Sequence, residues 1–183
     1  MRSDRLVVLV NGMPAAGKST LAPPLAEALG LPLFSKDVIK EAHADVFGAD
    51  PPDDRPQRDW NRLFGQAASE TMWALLAYAY GGAVLASTWP ANYRQFAVDG
   101  LARVGTERVV EVYCDVPPEL ARQRNRDRRP ARHPIHGALL TDDERIGMER
   151  DAEPLALGPV IRVDTAREVD VAALAARIRA AAR

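Results

Sequence analysis

Leu6-Val7-Val8-Leu9-Val10-Asn11-Gly12-Met13-Pro14-Ala15-Ala16-Gly17-Lys18-Ser19-Thr20 decides the fold of this chain. The first five residues form a continuous apolar, mostly β-branched run, which reads as a strand buried on both faces, as in a parallel sheet. Gly12 to Ser19 then matches G-x-x-x-x-G-K-[ST], and Leu21 to Leu29 follows with a helical pattern, so the motif lies between strand and helix as its chemistry requires. Glycines at 12 and 17 permit a tight loop with inward-facing backbone N–H groups, and the helix beginning near Lys18 adds its positive end. Gly12, Ala15, Ala16, Gly17, Lys18, Ser19 and Thr20 are therefore the candidate phosphate cradle. Lys18 is placed to neutralise β- and γ-phosphates, and the Ser19 hydroxyl to reach a Mg²⁺ ion bound to them.

Working outward, four more segments read as strands: Leu33 to Ser35, Ala83 to Ser87, Val109 to Cys114 and Val160 to Val163. Helical patterns over 57–80, 93–104, 118–129 and 169–182 separate them, and this alternation argues for one α/β domain with a parallel sheet covered on both faces. Pro23-Pro24 predicts a kink or a short first helix. Residues 49–56, proline-rich and acidic, read as a loop at the sheet edge. The 183 residues are 47% hydrophobic and 27% charged with a net charge of -1, an ordinary globular composition that argues against a nucleic-acid-coating or membrane protein. Cys114 is the only cysteine, which excludes an internal disulfide and favours a reducing cytoplasm; it reads as a buried small hydrophobe. Lys18, Lys36 and Lys40 are the only lysines among 24 basic residues, so each position invites an explanation.

The phosphate loop alone does not separate kinases from other triphosphate-binding proteins. No guanine-reading Asn-Lys-x-Asp is present, and the strand best placed to end in a metal-binding acid ends Ala86-Ser87-Thr88 instead. Water, or an indirect contact through Asp37, is left to complete the metal's shell. Asp37 follows the second strand and emerges at the same sheet edge as the loop. There it could accept the proton of an attacking hydroxyl, or cap the helix that begins at Val38. Six arginines lie between Arg122 and Arg132; Arg124 and Arg128 share one helical face, which could reach the phosphates, while Arg122, Arg126 and Arg129 share another. A solvated basic helix or an RNA-binding stripe is the competing explanation, and the absence of interleaved aromatics weakens the latter.

Taken together, the phosphate loop, Ser35-Lys36-Asp37, the strand from Ala83 to Thr88, Arg124-x-x-x-Arg128, Arg132-His133-Pro134 and Val163-Asp164-Thr165 resemble small P-loop kinases. The group is the one that includes chloramphenicol phosphotransferases, gluconate-type kinases and zeta-toxin kinases. The resemblance implies a three-layer P-loop NTPase fold over residues 1–183, with a five-stranded parallel sheet in order 2-3-1-4-5 and an arginine-rich lid near 122–140. It also implies ATP and Mg²⁺ as cofactors, Asp37 as catalytic aspartate, Arg124 and Arg128 as lid arginines, and Asp164 beside the nucleotide base.

For the acceptor, Trp89, Asn92, Tyr93 and Arg94 lie just past a strand end, a mixed aromatic and polar set suited to a hydroxylated ligand. Trp60 and Trp73 fall in an amphipathic helical stretch and read as core. His43, His133 and His136 match no structural zinc spacing. The expected activity is transfer of a γ-phosphate to a hydroxyl of a small molecule, an antibiotic or sugar-like metabolite. Two alternatives stand beside it: a nucleotide or polynucleotide end kinase, and a nucleotide-binding, toxin-like regulatory protein. The near-neutral charge and the acidic loop at Asp53-Asp54 argue against nucleic acid as a partner.

Overall fold

The computed structural model describes residues 4–52, 54–136, 146–148 and 150–182. Five strands, β1 (Leu6–Asn11), β2 (Leu33–Ser35), β3 (Gly82–Ala86), β4 (Val109–Asp115) and β5 (Val160–Asp164), form one parallel sheet in the order β2-β3-β1-β4-β5. Helices α1 (Lys18–Leu29), α2 (Lys36–Phe47), α3 (Gln57–Tyr78), α4 (Arg94–Val104), α5 (Pro118–Asp127) and α6 (Val171–Ala181) connect and cover them.

The period-two geometry of β1 builds both halves of the core. Val8 and Val10 face one side, where Leu21 and Leu25 of α1 and Leu174 and Ile178 of α6 bury them. Val7 and Leu9 face the other, against Met72, Trp73 and Leu76 of α3 and Leu101 of α4. Both faces of the central strand are thus fully removed from water, which is why its sequence is an unbroken apolar run. On the second face Gly100 makes room for Trp73, since a Cβ there would lie 2.3 Å from the indole ring.

Two helices depart from expectation. α1 runs unbroken for 12 residues through Pro23 and Pro24 and is not cut short by them. Both prolines lie on the exposed face, leaving to water the carbonyls they cannot bond, while Leu21, Ala22, Leu25 and Ala26 are buried beneath. Burial of Leu21 and Leu25, about 2 kcal/mol each, offsets much of what the prolines cost. α5 ends at Asp127 rather than Arg129, and Arg129–Ala131 forms a 3₁₀ turn of its own. Of the expected lid, residues 137–140 lie outside the described residues, as does Asp53 of the acidic loop.

Because every strand is parallel, all five carboxyl ends meet at one edge. The phosphate loop, the start of α2, the segment after β3, α5 with its following turns, and the segment after β5 all emerge there. No helix among the described residues is long and apolar enough to cross a membrane.

Candidate nucleotide and acceptor site

The phosphate loop is held in shape by backbone geometry that few other residues could adopt. Gly12 has φ +140, and a Cβ there would come within 2.6 Å of the Cys114 carbonyl oxygen. Ala15 takes the left-handed region at φ 64, and Gly17, at φ 88, precedes α1 without any side-chain cap. The first-turn N–H groups of α1 are therefore not consumed by a capping side chain, and no acidic residue sits in that turn. Behind the loop, the Thr165 hydroxyl lies 2.7 Å from the Ala16 carbonyl and 3.0 Å from that of Asp115, pinning the loop to the end of β4.

Lys18 folds back over the loop, donating to the carbonyls of Gly12 at 2.8 Å and Met13 at 2.7 Å. Burial lowers its pKa from 10.5 to about 8; Arg128 and Lys36 push the same way, against the fields of Cys114 and Asp37. Cys114 is buried, as expected, and burial raises its thiol to about 11. Ser19 and Thr20 are exposed at the start of α1.

Asp37 is not the helix cap that the sequence left open. Ser35 occupies that position, no side chain caps α2, and Asp37 sits inside the first turn with its side chain exposed. Its charge is felt at Lys18, Lys36, Lys40, Arg128 and His136, raising the pKa of each cation or ring that burial lowers. The field of this one carboxylate therefore reaches all three lysines of the chain. Sequence reasoning assigned only Lys18; the signal for Lys36 and Lys40 was the rarity of lysine itself.

Arg124 and Arg128 take the inner face of α5. Arg124 Nη2 donates to the Thr165 carbonyl at 3.1 Å, and both arginines line a cavity of about 830 Å³ that opens beside Gly17 and Thr20. Among the described residues the Nε of Arg128 is buried without a hydrogen-bond partner, and Nη2 has a 3.4 Å contact with Asn125. Burial and the nearby Arg132 lower its pKa. Arg122 and Arg126 turn the other way, to Glu119, at 2.8 and 3.8 Å. Thr165, Ala166 and Arg167 line the same cavity. Asp164 does not line it; its Oδ1 accepts from Ala166 N–H at 2.9 Å and shapes the turn that does.

The acceptor-side residues separate. Trp89, expected to touch substrate, is 3% exposed and packs in the core with Leu9, Met72 and Leu101, because its main chain is drawn inward. Asn11 causes this: Oδ1 accepts from Trp89 N–H at 2.9 Å and Nδ2 donates to the Trp89 carbonyl at 3.0 Å. The same Oδ1 accepts from Gly12 N–H at 2.7 Å, and Nδ2 also reaches Glu111 Oε1 at 2.9 Å. Glu111, fully buried, further accepts from the N–H groups of Leu155 and Ala156 at 3.0 and 2.9 Å. This network, absent from the sequence reading, locks the phosphate loop to the segments after β3 and before β5. Arg94 is exposed but its Nε donates to the Leu155 carbonyl at 2.9 Å, and Asn92 stands exposed in the 3₁₀ turn Ala91–Tyr93. Trp73 is 2% exposed core, and Trp60 packs edge-on to Phe64, 4.9 Å between centroids.

These features fit a magnesium-bound triphosphate. The uncapped helix start, the orphaned Arg128 Nε and the half-buried Lys18 ammonium are all donors that an anion at the loop would satisfy. For the metal, the Ser19 hydroxyl stands exposed at the start of α1, and phosphate oxygens, water or an indirect contact through Asp37 would complete its shell.

An AAA domain family matches residues 7–143, well over half of the chain. Among curated proteins none matches. In structure the chain is similar to a protein of Chloroflexus aurantiacus whose assignment as a kinase is provisional, with 25% identity, TM-score 0.83, and 98% of this chain and 99% of that one covered. It shares its fold with Kti12 of Chaetomium thermophilum, solved with ADP-AlF3 (16% identity, TM-score 0.62, covering 97% and 99%). A gluconokinase of Sinorhizobium meliloti shares it too (18% identity, TM-score 0.52, covering 100% and 93%). With the phosphate loop, the sheet order and the inward arginines in place, the chain belongs to this AAA domain family, within the small P-loop kinases.

Proposed function

We propose that the chain is an ATP- and Mg²⁺-dependent phosphotransferase that moves the γ-phosphate to a hydroxyl of a small molecule, an antibiotic or sugar-like metabolite. The observation that carries this reading is Asp37: an exposed carboxylate, unused as a cap, within the field of Lys18 and Arg128.

In this reading the loop N–H groups and Lys18 hold the β- and γ-phosphates, and Arg124 and Arg128 close over them from α5. Magnesium, held by Ser19 and the phosphates, would withdraw charge from the oxygens around the bond that breaks. The acceptor oxygen bonds to the γ-phosphorus as the bond to the bridging oxygen breaks, ADP leaves with that electron pair, and Asp37 takes the acceptor's proton. Arg128 is suited to the charge that spreads in this transition state because its guanidinium is partly desolvated and incompletely bonded. Asn92 and Arg94, exposed after β3, are assigned to the acceptor; Trp89, though buried, lines a small pocket beside Gly12 and Met13.

The test is mass spectrometry of a pooled set of sugars, nucleosides and hydroxylated antibiotics incubated with Mg-ATP and either wild-type protein or Asp37→Asn. One compound gaining a phosphate mass with wild type and not with the variant supports the reading. Nucleotide binding without any such gain contradicts it.

A further inference from the structure

α2 carries two of the chain's three lysines, Lys36 and Lys40, four residues apart. Positions so spaced share a helix face, about 6 Å apart along the axis. Positive charge therefore extends from the phosphate loop past Asp37, farther than the nucleotide's own phosphates require. Lys18, Arg124 and Arg128 already face those phosphates.

Lys40 is the odd member of the row. It is only 9% exposed, and among the described residues its ammonium has one hydrogen-bond partner, the carbonyl of Ile135 at 3.3 Å. Among the described residues no carboxylate forms an ion pair with it. Glu41 beside it is committed elsewhere, with Oε1 2.9 Å from His136 Nε2. An ammonium has three donors, and withdrawing it from water with one long bond to a neutral oxygen costs free energy unless an anion completes the site. Burial lowers its pKa to about 8, with Lys36 and Arg132 adding to the effect.

Arg132 lies three residues before Ile135, whose carbonyl accepts from Lys40. It is half-buried, forms no ion pair among the described residues, and depresses Lys40, Arg128 and His136 together. The segment that bears it is fixed rather than loose: Ile135 is fully buried with Ala44 and Phe64, and His133 Nε2 lies 3.1 Å from Asp45. Two cations from separate elements are thus held near each other, Lys40 through its bond to the Ile135 carbonyl three residues after Arg132, while the fields of Asp37 and Glu41 reach Lys40 without an ion pair among the described residues.

We propose that Lys40 and Arg132 form an oxyanion subsite, so that the acceptor carries a carboxylate or phosphate of its own, about one helical turn from the hydroxyl that is phosphorylated. This rests on the acceptor lying beside Asp37, as in the preceding section. The competing role for Lys40 is to anchor the turn at Ile135 and nothing more.

Three probes sharing one ring separate these: D-glucose, D-glucuronate and D-glucose 6-phosphate, titrated by calorimetry, with orthophosphate as the bare anion. Each is added to protein saturated with magnesium and a nonhydrolysable ATP analogue, so that the phosphate loop is already filled. The subsite predicts that an anionic probe binds at least tenfold tighter than glucose, and whether glucuronate or glucose 6-phosphate leads tells carboxylate from phosphate. Lys40→Met and Arg132→Met should each remove that preference with nucleotide affinity unchanged, and Lys40→Arg should restore it. Equal binding of glucose and the anions, no binding of any anion, or a preference that survives both methionine variants would overturn the proposal. If Lys40→Met does not fold, Arg132→Met alone decides. Failure of the analogue to bind at all is seen in the first titration and counts against the nucleotide site instead.

Discussion

The nucleotide side and the acceptor side of the same sheet edge are built on different principles. The nucleotide side is mostly backbone: Gly12, Ala15 and Gly17 in restricted conformations, the uncapped start of α1, and the turn after β5. On the proposed reading the acceptor side is made of side chains brought together from distant segments: Asp37 and Lys40 from α2, Arg132 from beyond α5, and Asn92 and Arg94 from the segment after β3. A backbone cradle tolerates little change in sequence, whereas a wall of side chains can be reset residue by residue.

Arg128 stands between the two sides, since it acts on Lys18 and feels Asp37. If the sides meet at the transferring phosphoryl group, Arg128→Ala should lower kcat by about a thousandfold with little change in nucleotide affinity. Single-turnover kinetics would check it, and a loss confined to affinity would place Arg128 with the nucleotide alone.

The Asn11 and Glu111 network holds the phosphate loop to the segments after β3 and before β5. Glu111→Ala strands the N–H groups of Asn11, Leu155 and Ala156, and should cost about 3 kcal/mol of stability. In a chain of this length that lowers the thermal midpoint by roughly 9 °C. A variant that melts like wild type would show that the phosphate loop is held to these segments by something else.

pH sharpens the comparison through Lys18, lowered to about 8. As pH rises from 7 to 9 the ammonium is lost in the nucleotide-free chain, so Mg-ATP should bind about tenfold more weakly at pH 9 and take up protons as it binds. Stability moves the other way. Between pH 8 and 10.5 the unfolded chain holds more protons than the folded one at this residue, so its contribution to folding grows more favourable over that window. Calorimetry in buffers of different ionisation enthalpy reads the first effect, and denaturant titration the second. Affinity independent of pH over this range would mean that Lys18 does not carry the charge on which the nucleotide rests.

What the sequence revealed follows the same division. The loop and sheet were legible because local signals specify them: an apolar run, two glycines and the lysine and serine at fixed spacing. The residues Arg124 and Arg128 were legible because helical spacing puts them on one face. Asn11 and Glu111 were not, since their partnership spans β1 and β4 and neither position is unusual alone. Trp89 misled because a residue just past a strand end is expected at the site edge, and only the Asn11 bonds reveal that its main chain turns inward. The continuity of α1 through Pro23 and Pro24 was hidden for a related reason: tertiary burial of Leu21 and Leu25 outweighs local propensity.

The most direct measurement crosses two variants with two readouts: Mg-ATP affinity by calorimetry and phosphoryl transfer by mass spectrometry, for Lys18→Ala and Asp37→Asn. The account predicts that Lys18→Ala weakens nucleotide binding at least tenfold, while Asp37→Asn binds as wild type and loses transfer by a factor on the order of 10² to 10⁴. Asp37→Asn retaining full transfer, or losing nucleotide as Lys18→Ala does, would contradict it.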